Sequence, residues 1–239
     1  MDEPIVKNLY EFWTHIGQLT HTLKKTTLCS AVSVPHSDWP NRIFDFEASK
    51  LVIDEIRQLS HAGELPGIIT IQKPNILNDN PNFDFLSGQR NMAIDLRSLE
   101  AKPTDTTTIR QVKTDAESIA FAKTASESFR YHVGDHVIST IVSQSEQIRV
   151  FIYTEENESI GCGIVFFDSD NNAGLHMIGT TPNGRGKGIA TTMTRYLLQE
   201  AKANGSIYCV LHASLMGEPI YKKLGFTAYG EIETYRIRK

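Results

Sequence analysis

Apolar residues recur along this chain in two different periods, and their alternation predicts a mixed α/β fold. In the second half, Thr114 followed by Glu117 matches a capping box at the start of a helix. Polar turns separate the periodic segments from one another. The pattern predicts helices at 114–129, 133–143, from 189 onwards and up to 224, and strands at 108–113, 149–154, 160–168, 173–180, 207–212 and 226–237.

The first half shows the same mixture of periods. Between the halves, residues 100–107 are polar, contain a proline and lack periodicity, so they are the best candidate for a linker. We therefore expect two domains, at 1–102 and 103–239, and a mixed, mostly antiparallel sheet flanked by helices. The first half is predicted to contain helices at 5–22 and 47–62 and strands at 28–34, 43–46, 67–72 and 91–96.

Composition excludes several classes of protein. The net charge of the 239 residues is −4, and both halves are mildly acidic, so no basic face for nucleic acid is expected. The three cysteines are scattered, which argues against a disulfide framework or a zinc site and favours buried thiols. The N-terminus lacks the features of a signal peptide, and apolar runs are too short to span a membrane. We expect a cytoplasmic protein without a metal site.

A glycine-rich basic turn follows a predicted strand and precedes a predicted helix, at residues 179–190 (GTTPNGRGKGIA). This order aims backbone N–H groups and the positive end of a helix at an anion such as phosphate. A P-loop is excluded, because Arg185 and Gly186 stand where it needs lysine and a hydroxyl residue. The dinucleotide-binding fingerprint also fails, since Ile189 stands where its third glycine belongs.

The spacing Arg185-x-x-Gly188-x-Ala190 resembles the pyrophosphate loop of the GNAT superfamily, the acyl-CoA-dependent N-acetyltransferases. A plain glycine-rich turn is the alternative interpretation of this motif taken alone. A second stretch, residues 213–226, resembles the other GNAT signature, a helix that ends at Leu-Gly-Phe before the last strand. Gly225 is suited to end that helix with a positive φ. Two motifs in the expected order favour a GNAT fold.

The resemblance implies acetyl-CoA as cosubstrate, with an amine attacking its thioester directly. It implies that the pantetheine arm runs beside the fourth strand of the GNAT module, like an added strand. Ser214 stands where many relatives have an asparagine that touches the cofactor. The cofactor-binding residues implied in this sequence are Met177, Ile178, Gly179, Thr180, Arg185, Gly186, Lys187, Gly188, Ile189, Ala190, Ser214 and Tyr221.

Two residues are candidates for proton transfer. Tyr221 stands where the family has a tyrosine that protonates the departing thiolate, and the alternative is a packing aromatic. His176 stands where many relatives have a glutamate on the fourth strand, so it is the candidate base. A structural histidine, with ordered water as the base, is the alternative. Both residues would act on a small-molecule or peptide amine.

Other functions are consistent with the same residues. A non-catalytic protein that binds or senses acetyl-CoA would keep the loop, and an interaction protein with a vestigial fold would bind no CoA. Residues 34–43 and 92–96 make the first half resemble the degenerate N-terminal module of two-module GNAT proteins. An unrelated accessory domain is the alternative for that half.

Overall fold

The structure, a computed structural model, describes residues 1–72, 75–99 and 107–239. The predicted linker lies outside these ranges except for Thr107, and so does the predicted boundary between residues 102 and 103. The three cysteines are unpaired and buried, as their apolar surroundings indicate. In the described part of the chain, no helix is both long and apolar enough to cross a bilayer.

The elements follow the predicted order closely. The N-terminal half contains α1 (Asp2–Leu19), β1 (Leu23–Lys25), β2 (Ser30–Val32), β3 (Arg42–Phe44), α2 (Lys50–His61), β4 (Ile68–Ile71) and β5 (Phe83–Asp95). The C-terminal half contains β6 (Ile109–Gln111), α3 (Asp115–Phe129), α4 (Asp135–Gln144), β7 (Ile148–Glu155), β8 (Glu158–Phe167), β9 (Ala173–Thr180), α5 (Ile189–Ala203), β10 (Tyr208–Ala213), α6 (Glu218–Lys223) and β11 (Thr227–Ile237).

Within the described ranges, eleven strands form one sheet in the order β1-β2-β3-β4-β11-β5-β10-β9-β8-β7-β6. Neighbouring strands are antiparallel except for two parallel pairs, β3–β4 and β9–β10. Each parallel pair is joined by a crossover helix, α2 in the first half and α5 in the second. The predicted mixed, mostly antiparallel sheet with flanking helices is therefore confirmed.

Two local signals in the sequence mark helix ends correctly. The Thr114 hydroxyl accepts a hydrogen bond from the Glu117 N–H, and the Glu117 carboxylate accepts one from the Thr114 N–H, which completes the capping box of α3. Gly225 follows the C-cap residue of α6, Leu224, and has φ 97°, a conformation that strongly favours glycine. Both features are set by residues close in sequence, so the pattern of the chain is enough to find them.

Strand β5 is much longer than the predicted segment 91–96. Its first part carries Asp84, Ser87 and Gly88, and no residue from 84 to 90 is buried. Neither face of this part packs on a core, so its sequence lacks the alternation that marks a half-buried strand. Pairing with β11 along almost the whole of β5 holds the segment extended instead.

Each half contributes one strand beside strands of the other half. β5, which precedes the predicted linker, lies between β10 and β11. β11, at the end of the chain, pairs with β4 of the N-terminal half over Ile68–Ile71. The two halves therefore share continuous backbone hydrogen bonding, and neither half keeps its sheet intact without the other.

Helix α1 packs between the two halves. Its residue Phe12 is 1% exposed and contacts Trp39 of the first half and Phe166 of the second, with ring centroids 6.0 and 5.5 Å apart. The same ring stacks on His176 of β9 at 4.0 Å. One hydrophobic core thus contains residues of α1, β2 and β3 together with residues of α3, α4, β7 and β8.

Buried amides of two elements orient two histidines beneath α1. Asn8, which is fully buried, donates from Nδ2 to the Asp168 carboxylate at 2.9 Å, and its Oδ1 lies 3.2 Å from His176 Nε2. Asn91 of β5 donates to the Asp2 carboxylate at 2.7 Å, and its Oδ1 lies 2.8 Å from Nδ1 of His212 on β10. Each carboxylate fixes its amide, so each amide oxygen faces a ring N–H.

Burial disfavours the charged form of both rings. It lowers the pKa of His176 well below 6.5, with a further contribution from the neighbouring His212. It also lowers the pKa of His212 to about 4. Both histidines are therefore neutral at pH 7 in the folded protein.

We expect the protein to lose stability as the pH falls below about 6.5. The unfolded chain binds protons on these two histidines near pH 6.5, whereas the folded protein binds them only at lower pH. The histidine contribution is therefore complete above the unfolded pKa and declines towards the folded values, by at most about 1.4 kcal/mol per pH unit for each proton.

The measurement is the free energy of unfolding by denaturant at several pH values from 7.5 to 5. His212→Gln should give a shallower decline than the unmodified protein, and His136→Gln, an exposed position on α4, should leave the decline unchanged. Equal slopes in all three proteins would contradict the prediction.

Candidate active site

The sheet opens between β9 and β10. These parallel strands pair only where Ala173–Leu175 of β9 meets Cys209–Leu211 of β10. Beyond Leu175, β9 continues along β8 while β10 continues along β5. No strand among the described residues covers the β10-facing edge of residues 176–180. Its backbone groups are available to an extended ligand that adds to the edge like a strand.

A β-bulge shapes this edge of β9. Gly163 of β8 lies opposite both Met177 and Ile178, and Met177 has φ 52°, which is uncommon for a residue other than glycine. Because of the bulge, Met177 points towards the turn after α3, where the Tyr131 hydroxyl lies 3.6 Å from its sulfur. Ile178 packs on the opposite face against the core beneath α5.

The glycine-rich turn leads directly from this edge into α5. A short 3-10 turn, Pro182–Gly184, is followed by Gly186 and Gly188 with φ 80° and 79°. Gly188 is the N-cap of α5, and no side chain of the described residues caps this helix, whereas Thr114 caps α3. The N–H groups of the first turn of α5 are therefore left for another acceptor, as an anion-binding helix start requires.

The two cations of the turn are in different situations. Arg185 is exposed and forms no ion pair within the described ranges of the chain. Lys187 forms an exposed ion pair with Glu155, and this pair raises the pKa of the lysine. Ile189 is buried in the core, so only its backbone can face a ligand, and Ala190 is half-buried in the first turn of α5.

Tyr221 and Ser214 lie at the other side of the opening, after β10. Tyr221 is half-buried on α6, and its ring meets that of Phe226 edge-on at 5.8 Å. Burial raises the pKa of Tyr221 to about 12, so its hydroxyl keeps its proton at neutral pH. Ser214 is exposed, and its hydroxyl accepts a hydrogen bond from the Gly217 N–H in the turn before α6.

His176 lies on β9 directly before the bulge, with 8% of its surface exposed. Its ring is held between Phe12 and Asn8 of α1. Because Asn8 presents its oxygen to Nε2, the neutral ring carries its proton on Nε2 and leaves Nδ1 as the proton acceptor. Sequence patterns did not indicate either partner, since both are more than 160 residues away.

A contact between the two halves supports the turn between α3 and α4. The Asp38 N–H donates to the His132 carbonyl at 2.8 Å, and the His132 N–H donates to the Asp38 carboxylate at 2.8 Å. The Gly134 N–H donates to the Ser37 hydroxyl at 3.0 Å. The turn contains Tyr131, which contacts Met177, so the N-terminal half helps to position a residue beside the open edge. No local sequence signal marks this contact.

The N-terminal half has a related opening without the basic turn. Its parallel strands β3 and β4 meet only at Ile43 and Ile69, and α2 begins beside them. A cavity of about 530 Å³ lies there, lined by Tyr10, Asp45 and Glu47 among others. Two carboxylates thus occupy the region where the second half carries Arg185 and Lys187, and they disfavour a phosphate ligand.

Comparisons with known proteins agree with this geometry. Residues 146–228 match the acetyltransferase (GNAT) domain family, and the match includes the glycine-rich turn and α6. No curated protein matches the sequence. The fold is similar to that of a GCN5-related N-acetyltransferase from Kribbella flavida, with TM-score 0.68 and 13% identity over 95% of this chain and 93% of that one.

Two further solved structures are similar over most of the chain. A GNAT-family protein from Novosphingobium aromaticivorans has TM-score 0.64 and 12% identity, covering 95% of this chain and 96% of its own. A GCN5-related N-acetyltransferase from Sphaerobacter thermophilus has TM-score 0.63 and 12% identity, covering 88% and 77%. Residues 146–228 are therefore similar to the GNAT acetyltransferase domain, and the chain has the fold that the solved GCN5-related N-acetyltransferases share.

Proposed function

We propose that this protein transfers the acetyl group of acetyl-CoA to the primary amine of an acceptor, at a site in the C-terminal half. The observation that carries the proposal is the open edge of β9 directly before an uncapped, glycine-initiated helix. An extended arm that ends in a phosphate matches this arrangement, because one part needs free strand backbone and the other needs free N–H groups.

Residues 185–190 hold the pyrophosphate in this proposal. The N–H groups of the first turn of α5 donate to its oxygens, and Arg185 adds a cation. Lys187 is available once it exchanges Glu155 for the phosphate, and an exposed ion pair offers little resistance to that exchange. Met177, Ile178, Gly179 and Thr180 align the pantetheine arm, and an N–H of this edge donates to the thioester oxygen.

Proton transfer is assigned to two groups. Acetyl-CoA supplies a thioester that a neutral amine attacks directly, and the departing thiolate needs a proton. Tyr221 donates it, since its hydroxyl is protonated at neutral pH. His176 receives the proton of the amine, directly or through water, because its ring is neutral and Nδ1 is its acceptor. Ser214 contributes a hydroxyl to the cofactor from the end of β10.

We also propose that the chain consists of two GNAT-like modules, of which only the second is catalytic. The repeated order of parallel strand, crossover helix and parallel strand supports this, in β3–α2–β4 and β9–α5–β10. The last strands of the modules, β5 and β11, are exchanged between them. Asp45 and Glu47 in place of a basic turn explain why the first module does not bind a CoA phosphate.

Gly188→Glu tests the phosphate site. The carboxylate would face the phosphate, and we expect the affinity for CoA, measured by calorimetric titration, to fall about 100-fold or more. Gly205→Glu is the matched control, because Gly205 has φ 82° at the far end of α5 and the same open surroundings. Unchanged CoA affinity in Gly188→Glu, or an equal loss in both variants, would exclude the assignment.

Tyr221→Phe tests the acid. Removing only the hydroxyl should lower kcat about 100-fold and change the CoA dissociation constant less than about 3-fold. Tyr229→Phe on the exposed side of β11 serves as the control and should behave like the unmodified protein. The measurement is thiol release from acetyl-CoA with a panel of amines. Full activity in Tyr221→Phe would leave the tyrosine as a packing residue, and CoA binding without turnover on any amine would favour the sensor.

His176→Gln tests the base. Glutamine can still donate to Asn8 but cannot accept the proton, so kcat should fall about 100-fold while CoA affinity is retained. His61→Gln, an exposed position of the first half, is the control. Turnover that stays close to that of the control would assign deprotonation to water, and His176 would then be a structural residue.

A further inference from the structure

Arg42 of β3 lies beneath α1 and has no anionic partner among the residues that the structure describes. Its guanidinium stacks over the Trp13 ring at 4.7 Å, and its Nη1 donates to the Thr70 hydroxyl at 3.3 Å. The residue is half-buried, and its Nε is shielded from solvent and has no hydrogen-bond partner. No carboxylate in the described ranges lies within ion-pair distance of it.

This arrangement is unusual for a guanidinium. Charged groups that leave water are normally paired, since an isolated charge in a poorly solvated place is unfavourable. Burial lowers the pKa of Arg42. Trp13 and Thr70 hold the group in place, so the charge is positioned rather than mobile. An anionic group of a ligand would supply the counter-ion of the guanidinium.

The free donors define the shape of that anion. Thr70 occupies Nη1, and the remaining Nε and Nη2 donors lie along one edge of the planar group. Two parallel N–H groups on one edge match the two oxygens of a carboxylate. The proposed CoA phosphate site at Arg185 and Lys187 lies on a different strand and turn, so the cofactor does not supply this anion.

Arg42 lies on the same side of the sheet as His176, since both side chains pack against α1. The Trp13 ring over which Arg42 lies belongs to the core beneath α1, and Tyr131 packs against the same core. Tyr131 in turn contacts Met177 at the bulge of β9, where the thioester is proposed to lie. Arg42, Tyr131 and Met177 thus lie around one core, which the two halves share next to the open edge.

We propose that Arg42 binds the carboxylate of the acceptor, and that the acceptors are small amines that also carry a carboxylate group. This inference rests on the proposed acetyl transfer and names its substrate class. The N-terminal half then contributes the specificity of the site, while the C-terminal half contributes the donor.

The test compares amines that differ only in the carboxylate. Pairs such as phenylalanine with 2-phenylethylamine, or lysine with cadaverine, are assayed for kcat/KM and for direct binding by calorimetry. We expect the carboxylate-bearing member to be preferred. Arg42→Gln should lower kcat/KM for that member about 100-fold and change that of its partner less than about 3-fold. Arg42→Lys should give an intermediate loss of kcat/KM, since lysine keeps the positive charge but lacks the two parallel N–H donors of the guanidinium.

Arg149→Gln is the matched control. Arg149 is also half-buried and stacks on a ring, Phe167, at 4.9 Å, but it is paired with Glu200 on the other side of the sheet. Arg149→Gln should leave the preference for carboxylate-bearing amines unchanged. Calorimetric titration of each variant with CoA shows whether the variant is folded and whether its cofactor site is intact.

The outcomes separate this inference from the proposed function. Equal use of both members by the unmodified protein, or an equal loss on both in Arg42→Gln, would overturn the role of Arg42 and leave acetyl transfer standing. Binding of CoA with no binding or acetylation of any carboxylate-bearing amine would do the same. Loss of CoA binding in the unmodified protein would instead overturn the proposed function, while calorimetry with the amines would still report on Arg42.

Discussion

The packing of α1 between the two halves is the constraint on which the rest of the structure depends. Phe12 fills the space between Trp39, Phe166 and His176, so side chains from distant parts of the chain share one core. The buried amide of Asn8 links the same helix to Asp168, directly after β8, and to His176 of β9. Because the interior is close-packed, a shift of α1 would move the strand that is proposed to align the cofactor.

The exchange of β5 and β11 also joins the two halves, through backbone hydrogen bonds rather than side-chain packing. With β5 between β10 and β11, the parallel pair β9–β10 is held by hydrogen bonds on its outer sides, and its two strands are free to separate after Leu175. The opening is thus a consequence of the sheet order rather than of a missing segment. A half of the chain expressed alone would lack one of its central strands.

Charge distinguishes the two related openings. Similar strand–helix–strand units can favour ligands of opposite charge when the turn between strand and helix carries opposite charge. Arg185 in one turn and Asp45 in the other illustrate this. In our proposals the donor binds at the basic turn, whereas the acceptor is positioned by Arg42, which the other half supplies. This division explains why the donor side resembles a common family motif and the acceptor side does not.

The sequence by itself determined the features that arise from neighbouring residues. These include the capping box at Thr114, the positive φ of Gly225, the glycine-rich turn, and the order of nearly all helices and strands. Periodicity and turn chemistry act over a few residues, so a single chain displays them.

Only the tertiary structure decided which distant segments meet. It placed β5 in the sheet of the other half, set the tautomer of His176 through Asn8, and put Arg42 beside Trp13 with no counter-ion from the described part of the chain. These features depend on contacts between residues far apart in the sequence, and the exposed part of β5 carries no periodic signal at all. The local pattern of the chain is therefore enough to propose the donor site, because that site is a short motif, whereas the proposed acceptor side depends on α1 bringing the two halves together.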